Sequence, residues 1–103
     1  MPKTAKPTAV GADVLKDKVI AFFADKDIDI KGECYTEDEW GARGERCCEK
    51  AGLVVIHDGG SHAPYFNHDY GAYGLMEELR LFVEPFGWYV EQGTSWYSGF
   101  YEI

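Results

Sequence analysis

Three histidines, three cysteines and a run of carboxylates are the groups in this chain best suited to chemistry. His57, His62 and His68 fall within twelve residues, beside Asp58 and Asp69, with Cys34, Cys47 and Cys48 upstream. Imidazole, thiolate and carboxylate are the groups that bind zinc. A loop holding His57, His62 and His68 therefore offers one reading: a small metal-binding domain or a metal-dependent hydrolase. The spacing argues against it. His-x4-His-x5-His is no standard ligand pattern, the adjacent Cys47 and Cys48 lack the gap that lets two thiolates share one ion, and no His-Glu-x-x-His occurs. Nor do the cysteines read as nucleophiles. Cys47 and Cys48 are expected late in a helix, where the dipole disfavours a thiolate, and Cys34 sits among acidic residues. Gly59-Gly60-Ser61 has no lysine after it and reads as a turn rather than a phosphate loop. The expectation is no catalytic residue, no metal and no cofactor, with the histidines bonding to local backbone.

Two other constellations fit binding better. Asp25, Asp27, Asp29, Glu33, Glu37, Asp38 and Glu39 form an acidic run suited to steering toward a basic surface. Near the C-terminus, Trp96, Tyr97, Phe100 and Tyr101 concentrate the residue types that dominate interface hot spots. The expected partner-binding set is Asp25, Asp27, Asp29, Glu37, Asp38, Glu39, Tyr65, Trp96, Tyr97 and Tyr101. The hairpin aromatics also offer a homodimer contact.

Charge supports the same view. The formal net charge is −8 over 103 residues. Residues 1–18 balance at +2, 19–50 at −4 and 51–103 at −6, the last stretch holding Arg80 as its single base. Direct nucleic-acid binding needs cations to displace phosphate counterions, so it is not expected. No apolar run approaches the length of a membrane span, and the N-terminus lacks a signal-peptide core. An odd cysteine count with a vicinal pair is a poor disulfide framework. Together these point to a reduced, cytoplasmic protein.

The elements that must position these groups follow from periodicity. Residues 1–10, with two prolines and no pattern, are expected to be a tail, and 11–103 a single domain. Leu15, Val19, Phe22 and Phe23 mark a first helix over 13–24. Residues 25–32 alternate polar and apolar and predict a short edge strand or connector. Thr36 and Glu39 form a capping-box pattern opening a second helix to about Ala51, with Trp40, Gly44, Cys47 and Ala51 inside. Residues 53–57 predict a buried strand, and Pro64 confines any strand through 65–67 to an edge or bulge. A third helix is expected from Asp69 to Glu84, with Ala72, Met76, Leu79 and Val83 inside. Residues 88–92 and 95–103 predict a hairpin about a two-residue Gly93-Thr94 turn. That turn would set Val90 opposite Tyr97 and Trp88 opposite Gly99, with aromatics on both faces. The fold class is α+β: three helices on a small antiparallel sheet that ends in a C-terminal hairpin. The three helices and terminal hairpin also match a winged-helix DNA binder in outline. The would-be recognition helix, beginning Thr36-Glu37-Asp38-Glu39, carries the wrong charge for a groove.

The stretch Ser61-His62-Ala63-Pro64-Tyr65-Phe66-Asn67-His68-Asp69-Tyr70, continuing to Thr94-Ser95-Trp96-Tyr97-Ser98, resembles small uncharacterised proteins carried by bacterial plasmids and phages. In size and acidity the chain is similar to anti-CRISPR and antirestriction proteins. That likeness implies a non-enzymatic, protein-binding inhibitor whose acidic surface blocks a basic, nucleic-acid-binding partner.

Overall fold

The computed structural model describes residues 8–44 and 50–103. Four antiparallel strands form one sheet in the order β1-β2-β4-β3, where β1 is Cys34–Thr36, β2 Leu53–Ile56, β3 Trp88–Gln92 and β4 Tyr97–Glu102. Three helices accompany it: α1 (Ala12–Ala24), α2 (Glu37–Ala42) and α3 (Tyr73–Val83). The α+β class and the terminal β3–β4 pair are those the periodicity predicts. Among the described residues no helix is long and apolar enough to cross a membrane.

The main core lies on one face of the sheet. The predicted stripe of α1, Leu15, Val19, Phe22 and Phe23, is buried together with Leu79 and Val83 of α3. These side chains pack on Leu53, Val55, Trp88 and Phe100 from the strands. Ala9 and Val10, placed in the tail by composition, join them. The Val10 N–H donates to Phe86 O at 2.9 Å, and Trp88 Nε1 donates to Val10 O at 2.9 Å. Gly87, at φ +90, is held close beneath Ala9, where a Cβ would collide with backbone.

Element ends depart from the sequence pattern where glycine or turn chemistry intervenes. α2 stops at Ala42 because Gly44 turns left-handed at φ +86, a common way to end a helix. Gly44 is therefore exposed rather than inward. Of the rest of that predicted stripe, Trp40 is buried in α2 and Ala51 is buried beyond it, while Cys47 lies outside the described residues. The predicted third helix divides. A single turn at His68–Tyr70, capped by Asn67 Oδ1 accepting from the Asp69 N–H at 2.9 Å, ends at Gly71 with φ +66, and α3 begins afresh at Tyr73. Residues 25–32 form no strand. Asp27 turns at φ +61, and Ile30 reaches the core from a loop. The edge strand forms two residues later, as β1.

The hairpin forms with a different register. Val90 pairs with Phe100 and Trp88 with Glu102. The connection is four residues, 93–96, and the Tyr97 carbonyl accepts from both the Gly93 and Thr94 N–H groups at 3.0 Å. This is a shift of three positions from the two-residue turn. An odd shift exchanges the faces of a strand, so Phe100 points to the main core while Tyr97 and Tyr101 move to the opposite face. The observed pairing predicts that Phe100→Ala costs about 3–5 kcal/mol in urea denaturation, whereas Tyr89→Ala on the outer face costs under about 1 kcal/mol. A reversed ranking would contradict this register.

Candidate partner-binding surface

β1 and β2 run antiparallel, with Cys34 opposite Val55. The loop entering β1 and the turn leaving β2 therefore meet at one end of the sheet. Asp27, Asp29 and Glu33 from the first, and Asp58 from the second, line a single cleft of about 320 Å³. Four carboxylates around one open cleft make a negative pocket suited to a guanidinium or ammonium group. Asp29 Oδ1 accepts from the Lys31 N–H at 2.9 Å, which fixes that side chain at the rim. Asp58 was not in the predicted partner-binding set. Its sequence neighbours are a strand and a turn, and only strand pairing brings it beside residues 27–33.

Ile56 also lines this cleft, and it packs on a second apolar cluster across the outer face of the sheet. The centre of that cluster is Trp40, delivered by α2. Its ring lies 5.6 Å from Tyr35, 5.9 Å from Tyr97 and 6.3 Å from Trp96. The Arg43 guanidinium sits over Tyr35 and Trp40 at 4.8 and 5.2 Å, within cation–π range. Further along, Tyr89 and Tyr101 stack at 5.5 Å with an interplanar angle of 28°, and Tyr89 is 41% exposed. Glu37, Glu102 and Lys50 line a cleft of about 340 Å³ with this pair. An aromatic strip thus crosses the sheet with carboxylates at both ends.

The predicted residues are redistributed over this surface. Asp27 and Asp29 join the acidic cleft, and Glu37 stands at the opposite end. Asp25 caps the end of α1 and Asp38 is exposed on the first turn of α2; neither lines the cleft. Glu39 is engaged within the fold. It accepts from the Thr36 N–H and from Lys16 Nζ, both at 2.8 Å, and these bonds hold its carboxyl down to about 2. Trp96 and Tyr101 are half-buried in the strip. Tyr97, 8% exposed, is a packing residue beneath it. Tyr65 is a correction: it is 9% exposed, edge-on to Phe22 and Phe23, and packs in the main core rather than in the outer-face patch, touching solvent at the cleft beside α3. Tyr35 and Tyr89 complete the strip. Their positions on alternate strand residues signal it only once the strands are paired.

The histidines separate. His57 is buried, its ring stacked on Phe66 at 5.1 Å and its Nε2 2.9 Å from Ser98 Oγ. His62 Nε2 donates to the Ile56 carbonyl at 2.8 Å, and His68 is exposed. Among the described residues, no three His, Cys, Asp or Glu side chains are grouped as metal ligands. Two of the three histidines are thus tied to neighbouring strand groups. Cys34 is buried, and burial pushes its thiol up to about 12 despite nearby Lys16, so it is protonated and a poor nucleophile. Cys47 and Cys48 lie outside the described residues.

Comparison with protein-family models, curated proteins and solved structures gives no match.

His57 makes the fold pH-sensitive. Burial, then the neighbouring charge of His62, lowers its pKa from 6.5 to about 4, and no partner accepts a proton at its buried Nδ1. Between those values the unfolded chain binds the proton and the folded chain does not. Stability linked to neutral His57 is complete above pH 6.5 and is lost as pH falls toward 4, by up to about 3 kcal/mol. Glu39, whose pKa is lowered from 4.5 to about 2, contributes stability that is lost only below 4.5, so of the two groups His57 alone acts between pH 6.5 and 4.5. Chemical denaturation between pH 7.5 and 4 is expected to show the loss, and His57→Gln to flatten it. An unchanged pH slope in that variant would remove the assignment.

Proposed function

We propose that this chain is a non-enzymatic binding protein that captures a partner through a basic, nucleic-acid-binding surface and so acts as an inhibitor in the manner of anti-CRISPR or antirestriction proteins. The observation that carries this reading is the continuity at Ile56, which joins a four-carboxylate cleft to the half-buried aromatics Tyr35, Trp96 and Tyr101 seated on the buried Trp40. Carboxylates steer a basic partner and hold its Lys or Arg side chains, and aromatic area supplies burial once water is expelled. The net charge of −8 adds long-range attraction toward such a partner and repulsion from free nucleic acid. The buried, protonated Cys34 and the separated histidines fit a binding role better than a catalytic one.

Immobilised protein is expected to retain nucleic-acid-binding proteins from a nuclease-treated bacterial lysate at low ionic strength, and to release them as salt rises or duplex DNA is added. The paired reversal Asp29→Lys with Asp58→Lys should weaken capture by about tenfold or more, while Asp38→Lys leaves it near the parent level. Thermal unfolding of each variant checks that the fold survives. Capture that ignores salt, DNA and the paired reversal would sink the proposal.

A further inference from the structure

β3 is an edge strand, pairing among the described residues with β4 alone. Two bonds set the phase of that ladder: Ile103 N–H to Gly87 O and Gly93 N–H to Tyr97 O, each 3.0 Å. Antiparallel pairs alternate between bonded and unbonded positions. Tyr89 and Glu91 therefore bond to β4, while the backbone N–H and C=O groups of Trp88, Val90 and Gln92 point away from the sheet. No other backbone group among the described residues takes them up. Open edges of this kind are templates for another strand unless blunted.

Beside this edge runs a half-open groove of about 330 Å³, walled by α3. Phe66 and Val90 contribute to its apolar lining, and Tyr73 and Met76 contribute from the helix, with Tyr73 63% exposed. One end is closed by the Gln92 side chain. Its Oε1 accepts from the His68 N–H at 3.0 Å, and its Nε2 donates to Asn67 Oδ1 and Thr94 O. The charged rim is Glu77, Arg80 and Glu91. Arg80 is held by Glu77 at 2.6 Å and, outside the groove, by Glu84 at 3.3 Å, so the Glu77–Arg80 pair is neutral at the rim and Glu91 leaves it a net charge of −1.

We propose that this groove receives an extended peptide segment carrying Arg or Lys, which adds to β3 as a fifth strand. The segment's backbone bonds to Trp88, Val90 and Gln92. Alternate side chains enter the groove against α3, and its basic groups meet Glu91. Charge decides between occupants. A second copy of this chain would set one net-negative rim against another, whereas a basic segment neutralises it. The site uses a different sheet edge from the outer-face surface and stands independently of the proposal above.

The test is an NMR titration of the full ¹⁵N-labelled chain with a short peptide alternating valine and arginine. The control is the same peptide N-methylated at alternate residues, with equal charge and side chains but no edge hydrogen bonds. Saturable amide shifts at Trp88, Val90, Gln92, Tyr73 and Met76 are expected, and methylation should weaken binding about tenfold or more. Val90→Pro removes an outward N–H at an edge position that tolerates proline, and should weaken binding similarly. Should that variant unfold, Glu77→Lys tests the rim with the edge intact and is expected to weaken binding. Equal affinity for the methylated peptide overturns the proposal, as do shifts confined to Ile56, Asp58 and Trp96. Shifts at β3 that grow with protein concentration in the absence of peptide also overturn it, in favour of self-pairing.

Discussion

The register of β4 is the constraint on which the rest depends. β4 lies between β2 and β3, so its alternation decides what each face of the sheet carries. With Phe100 opposite Val90 and Leu53, one face closes over Leu15, Val19, Phe23, Leu79 and Val83. The same choice sends Tyr97 and Tyr101 outward, where Trp40 meets the first and Tyr89 the second. Ser98, inward and fully buried, becomes the partner of His57. A single-residue slip would place tyrosines in the core and Phe100 in water, at a cost that sheet pairing alone could not offset. The four-residue connection holds this register. Gly93 lies directly under the Tyr97 ring, where a Cβ would collide, and the Tyr97 carbonyl collects two turn N–H groups.

Charge is arranged around that scaffold rather than within it. The ion pairs Lys16–Glu39, Lys26–Glu78 and those of Arg80 are solvent-accessible and individually worth little. Asp27, Asp29, Glu33 and Asp58 instead line one cleft. Like charges held together weaken a fold slightly, and a basic ligand relieves that repulsion.

Much of the fold was legible from the sequence because its helices bury single stripes. The spacing of Leu15, Val19, Phe22 and Phe23 specifies a helix and a face together. The strand 53–56 is equally clear from its β-branched run between glycines. The candidate surface was legible only in part. Asp27, Asp29 and Glu37 stood out as charges, and Trp96 and Tyr101 as aromatics. Asp58, Tyr35 and Tyr89 did not, because membership depends on which strands pair. Tyr65 misled because composition cannot tell a core tyrosine from a contact one. Its placement follows from Pro64 opening a single helical turn that drives the ring onto Phe22 and Phe23.

By itself the sequence determined the α+β class, the three helical segments, the terminal hairpin and the acidic, aromatic character of the protein. These depend on local periodicity, capping and composition, which act over a few residues. Tertiary structure decided the hairpin register, the gathering of Asp27, Asp29 and Glu33 with Asp58 at one cleft, the burial of His57 and the open edge of β3. Each of these rests on contacts between residues distant in the chain, and a side chain's face, partner and solvent exposure exist only once the strands have paired.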